Sequence, residues 1–299
     1  MKIIERPRLS QLTTLRLGGT AIAEIRLECA DDYGALPDVI RRFGGIPHAL
    51  GGGSNLLVRD GDLPFLLLRP GRQADGSEPQ RTGEDQEAAF VRADAGIPLP
   101  RLVSWCARMG LSGLEGLAGV PGHLGGAIAM NAGAYGCSTA PLVTRLAAYT
   151  PEQGLRILGP SAWECSYRHF SFFEPCSWSL IAWAELRLAK STPDAVRSAI
   201  HANLTQKKQS QPITENTAGC IFKNPDQNSA GRLLDAAGVK DLRKGAFHFS
   251  RKHANFLVHD TGCGVPGTFE DAISLIQAAQ ERVQDLFGIE LEREVIVWA

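Results

Sequence analysis

The chain has 299 residues, of which 44% are hydrophobic and 21% are charged, and its formal net charge at pH 7 is −1. This composition is that of a globular protein with two or three subdomains, and the charge excludes a non-specific role on nucleic acids or anionic membranes. No apolar run approaches the roughly 18 residues of a membrane-spanning helix, and Met1–Pro7 has no signal-peptide character. Seven cysteines without a CxxC pair favour reduced thiols in a cytoplasm over disulfides or a metal site.

Residues 1–70 predict an α+β unit. Alternating apolar residues over 22–27 are typical of a strand, and the apolar face of residues 36–43 predicts a helix that ends at Gly44 and Gly45. Two further strands are predicted in this unit, over 46–50 and 65–68.

The middle of the chain predicts more strands around a glycine-rich loop. Residues 73–88 are polar without a regular apolar period, which predicts a hairpin or an exposed loop. Nine glycines lie between positions 110 and 136, so we expect a long loop there, without a regular helix over 110–125. The other predicted elements are a helix over 100–109 and strands over 89–93, 144–149, 156–158 and 180–188.

The last third of the chain predicts a smaller α+β domain. Thr192 and Pro193 suit the cap and first turn of a helix that extends to about residue 207. Thr268 and Asp271 have the spacing of a capping box at the start of another helix, which Gly288 ends. The remaining predicted elements are a short helix over 229–237 and strands over 246–250, 255–259 and 289–298.

One segment has the GxGxxG pattern of a dinucleotide-binding turn. Residues 262–267 carry it, after a predicted strand and before a predicted helix, as a Rossmann fold requires. Only one more strand follows that helix, whereas a Rossmann fold needs at least two more βα units. We therefore interpret the segment as a glycine-rich turn.

Three other segments are typical of a site for a phosphorylated cofactor. Residues 51–53 are consecutive glycines whose backbone N–H groups can converge on an anion, with Ser54 and Asn55 as further donors, although a tight turn explains them equally well. Residues 121–136 are rich in Gly and Ala and almost uncharged, which suits either a flat ring lying on backbone or a buried packing loop. In the third segment, residues 14–21, backbone groups and Arg16 can face the same site.

Motifs over nearly the whole chain resemble those of one family, the UDP-N-acetylenolpyruvoylglucosamine reductases (MurB). Residues 50–58 resemble its LGGGSN-LLV loop, and residues 121–136 resemble its PG-x-x-GGA-x-x-x-NAGAYG signature. Residues 217–225, 252–256 and 291–295 resemble its AGS-x-FKNP, KHANF and LEPEV segments. The chain lacks the loop that type I members insert in the third domain, so it resembles type II.

The resemblance implies an α+β FAD-binding fold of the vanillyl-alcohol oxidase (PCMH) type, with two subdomains over 1–70 and 71–190 and a smaller substrate-binding domain over 191–299. It also implies non-covalent FAD and NADPH as cosubstrate, with residues 51–55 at the pyrophosphate and 119–137 around the flavin. The cofactor-binding residues that it implies are Gly51, Gly52, Gly53, Ser54, Asn55, Gly119, Pro121, Gly122, Gly125, Gly126, Asn131, Ala132, Gly133 and Tyr135.

Three catalytic residues follow from the resemblance. Cys220 stands where the family has its proton donor, commonly Ser, and a thiol with a reference pKa of about 8.5 is a better acid than an alcohol. Without the resemblance, a lone Cys is most often a small buried hydrophobe. Glu294 and Arg168 match the catalytic glutamate and arginine of the family, and otherwise both are typical surface residues.

The segment around Arg168 departs from the family pattern. Cys165 and Phe170 stand where members usually have Phe and Ser. We interpret His253 as a hydrogen-bonded structural histidine, with catalysis as the alternative. The implied substrate contacts are Tyr167, Lys208 and Asn224.

The implied reaction reduces the enolpyruvyl ether of UDP-N-acetylglucosamine, a step of peptidoglycan precursor synthesis. NADPH reduces FAD, hydride passes to C3 of the substrate, and Cys220 protonates C2 while Arg168 and Glu294 stabilise the enolate-like charge. One alternative is an oxidase or dehydrogenase of the same flavin fold, in which a histidine such as His123 is often bonded to FAD; the other is a non-enzymatic flavin-binding protein. We expect no nucleic-acid, membrane or obligate protein partner.

Overall fold

The computed structural model describes residues 1–71 and 78–299, which form two compact units. The first unit contains Met1–Pro7, Ile22–Gly52 and Pro64–Gln206, and the second contains Arg8–Ala21, Gly53–Leu63 and Lys207–Ala299. Both units therefore draw on the first part of the chain. The domains predicted over 1–70, 71–190 and 191–299 stay a prediction.

A four-stranded sheet lies in the first unit. Its strands are, in order, Lys2–Glu5, Ala23–Leu27, Phe65–Pro70 and Ile46–Ala49. The first pair is antiparallel and the other two pairs are parallel. Two helices connect the second and fourth of these strands along the chain, Ala30–Gly34 and Leu36–Phe43. Gly44 ends the second helix at a φ of +66°, as the sequence predicts.

The first unit also has a six-stranded antiparallel sheet. Five strands follow one another in the order Gly154–Leu158, Val143–Thr150, Leu180–Lys190, Ala88–Asp94 and Gln80–Glu84, and Leu111–Ser112 pairs with the third. Residues 80–84 therefore fit the hairpin alternative for this polar region, whereas residues 72–77 lie outside the described part of the chain. The helix Leu99–Met109 buries Leu102, Val103 and Cys106, as predicted.

Smaller elements complete the first unit. Two short antiparallel pairs join Gly133–Ala134 with Cys137–Ser138 and Trp163–Ser166 with His169–Phe172. Single 3-10 turns lie at Glu115–Leu117, Ala140–Leu142 and Pro160–Ala162. The boundary between the units falls within the helix Pro193–Ser210, at Gln206 and Lys207. Thr192 caps that helix as predicted, because its Oγ1 accepts from Ala195 N at 3.2 Å.

The second unit contains another antiparallel sheet and three helices. Its four strands are, in order, Thr217–Cys220, Phe256–His259, Phe247–Phe249 and Arg243–Lys244, and Ile296–Trp298 pairs in parallel with Leu56–Val58. The helices are Leu9–Leu12, Ala230–Ala236 and Phe269–Phe287, with a 3-10 turn at Val239–Asp241. The predicted cap is confirmed, since Thr268 Oγ1 accepts from Asp271 N at 3.1 Å.

Two predictions of secondary structure are wrong. The predicted loop contains a helix, Leu124–Ala129, which forms because Leu124 and Ile128 bury one face. The strand predicted over 289–298 is restricted to Ile296–Trp298. The residues before it make backbone hydrogen bonds to residues 221–223, with an isolated bridge between Phe222 and Arg293, and form no continuous ladder there.

The GxGxxG segment is an exposed turn between Phe256–His259 and Phe269–Phe287. In the part of the chain that the structure describes, no helix has the length and hydropathy to cross a membrane. The same residues contain no group of three or more His, Cys, Asp or Glu side chains arranged to hold a metal ion. All seven cysteines are free thiols.

Candidate active site

Two of the predicted cofactor segments meet in the first unit. A Cβ atom on Gly52 would lie 2.5 Å from Gly122 Cα, so the two backbones touch where any side chain would separate them. Gly51 is less constrained, because its Cβ atom would lie 3.7 Å from the nearest atoms, which belong to Gly126. Close approach of the two segments therefore requires glycine at position 52.

A cavity of about 450 Å³ lies beside these glycines. Small residues and aromatic rings form much of its wall, among them Gly51, Gly125, Gly126, Phe170, Phe172 and Trp178. A Cβ atom on Gly126 would meet no protein atom within 4 Å, whereas one on Gly125 would lie 2.8 Å from Ala95 Cβ. Gly125 thus allows the helix Leu124–Ala129 to pack closely on Ala95, and Gly126 leaves open space beside the helix. A largely apolar cavity of this size suits a flat organic ligand.

Sequence reasoning missed the aromatic part of this wall. The three aromatic residues lie more than 30 positions after the predicted glycine loop, so no local pattern connects them with it. The fold places them at the cavity: Phe170 and Phe172 lie on the hairpin strand His169–Phe172, and Trp178 lies just before the strand Leu180–Lys190. The cofactor roles of all fourteen residues stay predictions, and eleven of these residues do not line the cavity. These are Gly52, Gly53, Ser54, Asn55, Gly119, Pro121, Gly122, Asn131, Ala132, Gly133 and Tyr135.

Arg168 lies in the two-residue turn between the strands Trp163–Ser166 and His169–Phe172. Its φ of +54° is in the left-handed region, which residues other than glycine rarely adopt. The Nη2 atom of Arg168 donates to Gly133 O at 2.7 Å, and its Cζ atom lies 5.1 Å from the ring centroid of Tyr167. The turn is thereby fixed to the second glycine-rich segment.

The two departures from the family pattern face each other across this hairpin. Cys165 and Phe170 are direct partners in the antiparallel register. Phe170 packs against Trp163 and Phe172, with ring centroids 5.9 and 5.4 Å apart. Cys165 is exposed. The two departures therefore change side chains on the paired strands of the hairpin. The hairpin still forms, and Arg168 still lies in its turn.

The glycine-rich loop continues in the second unit at Gly53. Its φ is +63°, and a Cβ atom there would lie 2.1 Å from Leu12 O. Thr14 N donates to Gly53 O at 3.0 Å, so the third predicted segment packs against this loop. Asn55 Nδ2 donates to Glu294 O at 3.0 Å. The loop therefore anchors the segment that carries the predicted catalytic glutamate.

Cys220 and Glu294 lie on neighbouring segments of the second unit. Cys220 ends its strand, and Gly219 before it has a φ of +78°, which only glycine adopts readily. Glu294 N donates to Ile221 O at 2.8 Å, which holds the glutamate beside the residue that follows Cys220. Both side chains belong to half-buried residues, so Glu294 is not the solvent-facing residue that an alternating terminal strand predicts. Arg168 belongs to the first unit.

The two predicted substrate contacts in the second unit also have structural contacts. Asn224 Oδ1 accepts from Ala230 N at 3.0 Å, at the start of a short helix. Lys208 O accepts from Lys252 Nζ at 2.9 Å. Sequence reasoning missed Lys207, which is 3% exposed and whose pKa burial lowers to about 8. Lysine is so rarely buried that the sequence gives no signal for this position.

The contacts of His253 fit the structural interpretation. A Cβ atom on Gly231 would lie 2.9 Å from its Cε1 atom, so the ring packs directly on the backbone of a helix. Its Nδ1 atom accepts from Asn255 N at 3.3 Å, and the ring meets Phe256 edge-on at 5.0 Å. Burial lowers its pKa, which favours the neutral ring at pH 7.

Two family models match the chain. Residues 30–154 match an FAD binding domain, and residues 211–298 match the C-terminal domain of UDP-N-acetylenolpyruvoylglucosamine reductase. The UDP-N-acetylenolpyruvoylglucosamine reductase of Oleidesulfovibrio alaskensis is 45% identical over 99% of this chain and 98% of its own length. That of Nitratidesulfovibrio vulgaris is 41% identical over 99% and 98%. The crystal structure of UDP-N-acetylenolpyruvylglucosamine reductase (MurB) from Thermus caldophilus has a TM-score of 0.81 and 31% identity, over 100% of both chains.

Proposed function

Because the chain belongs to the UDP-N-acetylenolpyruvoylglucosamine reductase family, we propose that it reduces UDP-N-acetyl-3-O-(1-carboxyvinyl)-glucosamine to UDP-N-acetylmuramate with NADPH. The predicted family, FAD-binding fold and FAD cofactor are confirmed. The product is a peptidoglycan precursor, and we place the reaction in the cytoplasm. The enzyme acts on this small molecule without an obligate protein, nucleic-acid or membrane partner.

The cavity in the first unit fits a non-covalently bound FAD. Its open backbone at Gly51 and Gly126 accepts a flat group at close range, and Phe170 and Trp178 offer rings for packing. FAD bound here would supply the hydride chemistry that links NADPH to C3 of the enolpyruvyl group. Backbone N–H groups of residues 51–53 would hold its pyrophosphate.

The protein groups then control the charge and the proton. The Cys220 thiol donates a proton to C2 as general acid. Arg168 and Glu294 stabilise the negative charge that develops next to the substrate carboxylate, which is electrostatic stabilisation of the developing charge. The observation that carries the proposal is the hydrogen bond from Glu294 N to Ile221 O, because it holds the glutamate on the segment next to the thiol.

An absorbance experiment on the purified protein tests this function. We expect flavin bands that bleach when NADPH is added and recover only when the enolpyruvyl substrate follows. Recovery with simple alcohols or ketones, or no response to the enolpyruvyl substrate, contradicts the proposal. Flavin that remains on the protein after acid precipitation points to a covalent bond at a residue such as His123, and so to an oxidase of the same fold.

Gly126→Leu is expected to separate FAD binding from folding. Gly126 is exposed within the helix Leu124–Ala129, and its Cβ position is open, so Leu fits the apoprotein and has the higher helix propensity by up to about 1 kcal/mol. The same side chain enters the space beside the cavity wall. We expect an unchanged or higher melting temperature of the apoprotein with reduced FAD content.

The matched control is Gly34→Leu. Gly34 is the last residue of the helix Ala30–Gly34, its Cβ position is open like that of Gly126, and it does not line the cavity. The control protein is expected to keep its full FAD content. Equal FAD content in both variants contradicts the placement of the cofactor.

Gly52→Val is expected to lose FAD and stability together. Its Cβ atom would lie 2.5 Å from Gly122 Cα, so the two segments must move apart, at a cost of about 1–3 kcal/mol in unfolding free energy. Gly51→Ala is the control for stability, since its Cβ atom keeps an ordinary contact of 3.7 Å. Denaturant unfolding and flavin absorbance measure both quantities. Full flavin occupancy in Gly52→Val would show that the close contact between Gly52 and Gly122 is not needed for FAD binding.

A further inference from the structure

Asn131 has a side chain whose two ends both contact backbone. Its Nδ2 atom donates to Ser166 O at 2.7 Å, and its Oδ1 atom accepts from Ala140 N at 3.0 Å. Asn131 is 6% exposed, and its φ of +42° is in the left-handed region, where Asn is among the few tolerated residues. The sequence resemblance implies a cofactor contact for this residue. The geometry instead engages its amide within the protein.

The contact reaches the hairpin directly before its turn. Ser166 is the last residue of its strand, and the turn residues Tyr167 and Arg168 follow it. The same turn is bound from the other side, because Arg168 Nη2 donates to Gly133 O at 2.7 Å. Two hydrogen bonds thus hold the turn. The Asn131 side chain donates to the backbone of Ser166, and the Arg168 side chain donates to the backbone of Gly133.

The turn needs such support because its backbone is strained. Arg168 has a φ of +54°, and a non-glycine residue in a sparsely populated region costs on the order of 1–3 kcal/mol. This conformation persists only where surrounding contacts determine it. The bond from Arg168 Nη2 to Gly133 O restricts the orientation of the guanidinium group. The bond from Asn131 fixes where the turn begins.

We propose that Asn131 is a positioning residue that sets the orientation of Arg168 for charge stabilisation. This inference rests on the proposed function, since it assigns Arg168 to the reacting carboxylate. It predicts that Asn131 matters for the step in which the substrate accepts hydride and much less for FAD binding or for reduction by NADPH.

Asn131→Asp is the variant that tests the bond to the hairpin. Asp has the same shape, tolerates the left-handed φ and keeps the acceptor for Ala140 N, but its carboxylate cannot donate to Ser166 O. We expect reoxidation of the flavin by the enolpyruvyl substrate to slow by about 10- to 100-fold, the scale of a small misplacement of a reacting group. FAD content, the flavin spectrum and reduction by NADPH are expected to stay near wild type.

Two comparisons distinguish positioning from general loosening. Thr139→Val removes the bond from Thr139 Oγ1 to Ala132 O, at 2.7 Å in the same loop, and leaves the hairpin contacts in place. It is expected to lower the melting temperature with little change in reoxidation. In an Arg168→Ala background, Asn131→Asp is expected to cause no further loss of rate, because Asn131 acts through the orientation of Arg168, which is already absent. A full additional loss overturns the proposal.

Hydrogen exchange gives a readout that does not depend on the reaction. Peptides that cover residues 163–172 are expected to exchange faster in Asn131→Asp than in wild type, while peptides over 143–150 stay unchanged. Unchanged exchange at the hairpin, or loss of FAD as the main effect, overturns the proposal. If the wild type itself is not reoxidised by the enolpyruvyl substrate, the proposed function fails, and the exchange result still decides whether Asn131 holds the turn.

Discussion

Cys220→Ala is expected to lose turnover by about 10²-fold or more while its flavin is still reduced by NADPH at the wild-type rate. Alanine has no proton to give to C2, and loss of a positioned general acid typically costs this much. Cys220→Ser keeps a donor at the same position and is expected to retain substantial turnover. Stopped-flow absorbance measures the two half-reactions separately. Normal turnover of Cys220→Ala identifies another group as the proton donor.

The thiol also makes the enzyme sensitive to alkylation. Cys220 is half-buried. If it protonates the substrate as proposed, iodoacetamide reaches it when no substrate is bound, so we expect inactivation of the wild type and protection by the enolpyruvyl substrate. Cys29, Cys165 and Cys263 are exposed and react as well, which makes Cys220→Ser the essential control. Inactivation of Cys220→Ser at the wild-type rate assigns the sensitivity to a different thiol.

Local sequence signals predicted the parts of the fold that depend on local contacts. The cap formed by Thr268 and Asp271 and the glycine stops at Gly44 and Gly288 require only neighbouring residues, and all are observed. The helix Leu124–Ala129 was not predictable in this way. Two glycines lower its helix propensity, and its stability comes from burial of apolar side chains and from close packing on Ala95.

The last strand was predicted too long, because local sequence does not show where a strand has a pairing partner. Apolar alternation over 289–298 predicts one long strand, but a strand needs a partner along its length. In the described part of the chain, Ile296–Trp298 pairs with Leu56–Val58, which lies far away in the sequence, and the residues before Ile296 form an isolated bridge at Arg293. Glu294 is therefore positioned by single hydrogen bonds to distant residues, which no local pattern encodes.

The candidate site also combines residues that sequence motifs predict with contacts that only the fold creates. Family motifs in the sequence predict catalytic roles for Arg168, Cys220 and Glu294, because each stands in a recognisable segment, and these roles stay predictions. The contact of Asn131 with Ser166 spans 35 positions and depends on the fold of both segments. The sequence therefore assigns residues to a motif, and only the structure distinguishes a side chain that can face a ligand from one that is engaged with backbone.

Glu294→Gln is expected to slow reoxidation of the flavin by the enolpyruvyl substrate by about 10²-fold or more, with nearly normal reduction by NADPH. Glutamine keeps the size of the side chain and loses its ability to share a proton or carry charge. The segment is expected to stay in place, because its bonds to Ile221 and Asn55 use the backbone of Glu294. The substitution therefore changes the chemistry of the site with little change in its geometry.

Glu292→Gln is the matched control for Glu294→Gln. It removes the same charge two residues away, where Glu292 forms an ion pair with Lys223 and is 72% exposed in its side chain. An exposed ion pair contributes at most about 1 kcal/mol to stability, so both half-reactions of the control should keep their rates. Equal slowing of both half-reactions in Glu294→Gln contradicts a role limited to the substrate step. Equal effects of the two variants contradict any specific role, because the loss then follows from the removal of negative charge in this segment and not from the carboxyl group of Glu294.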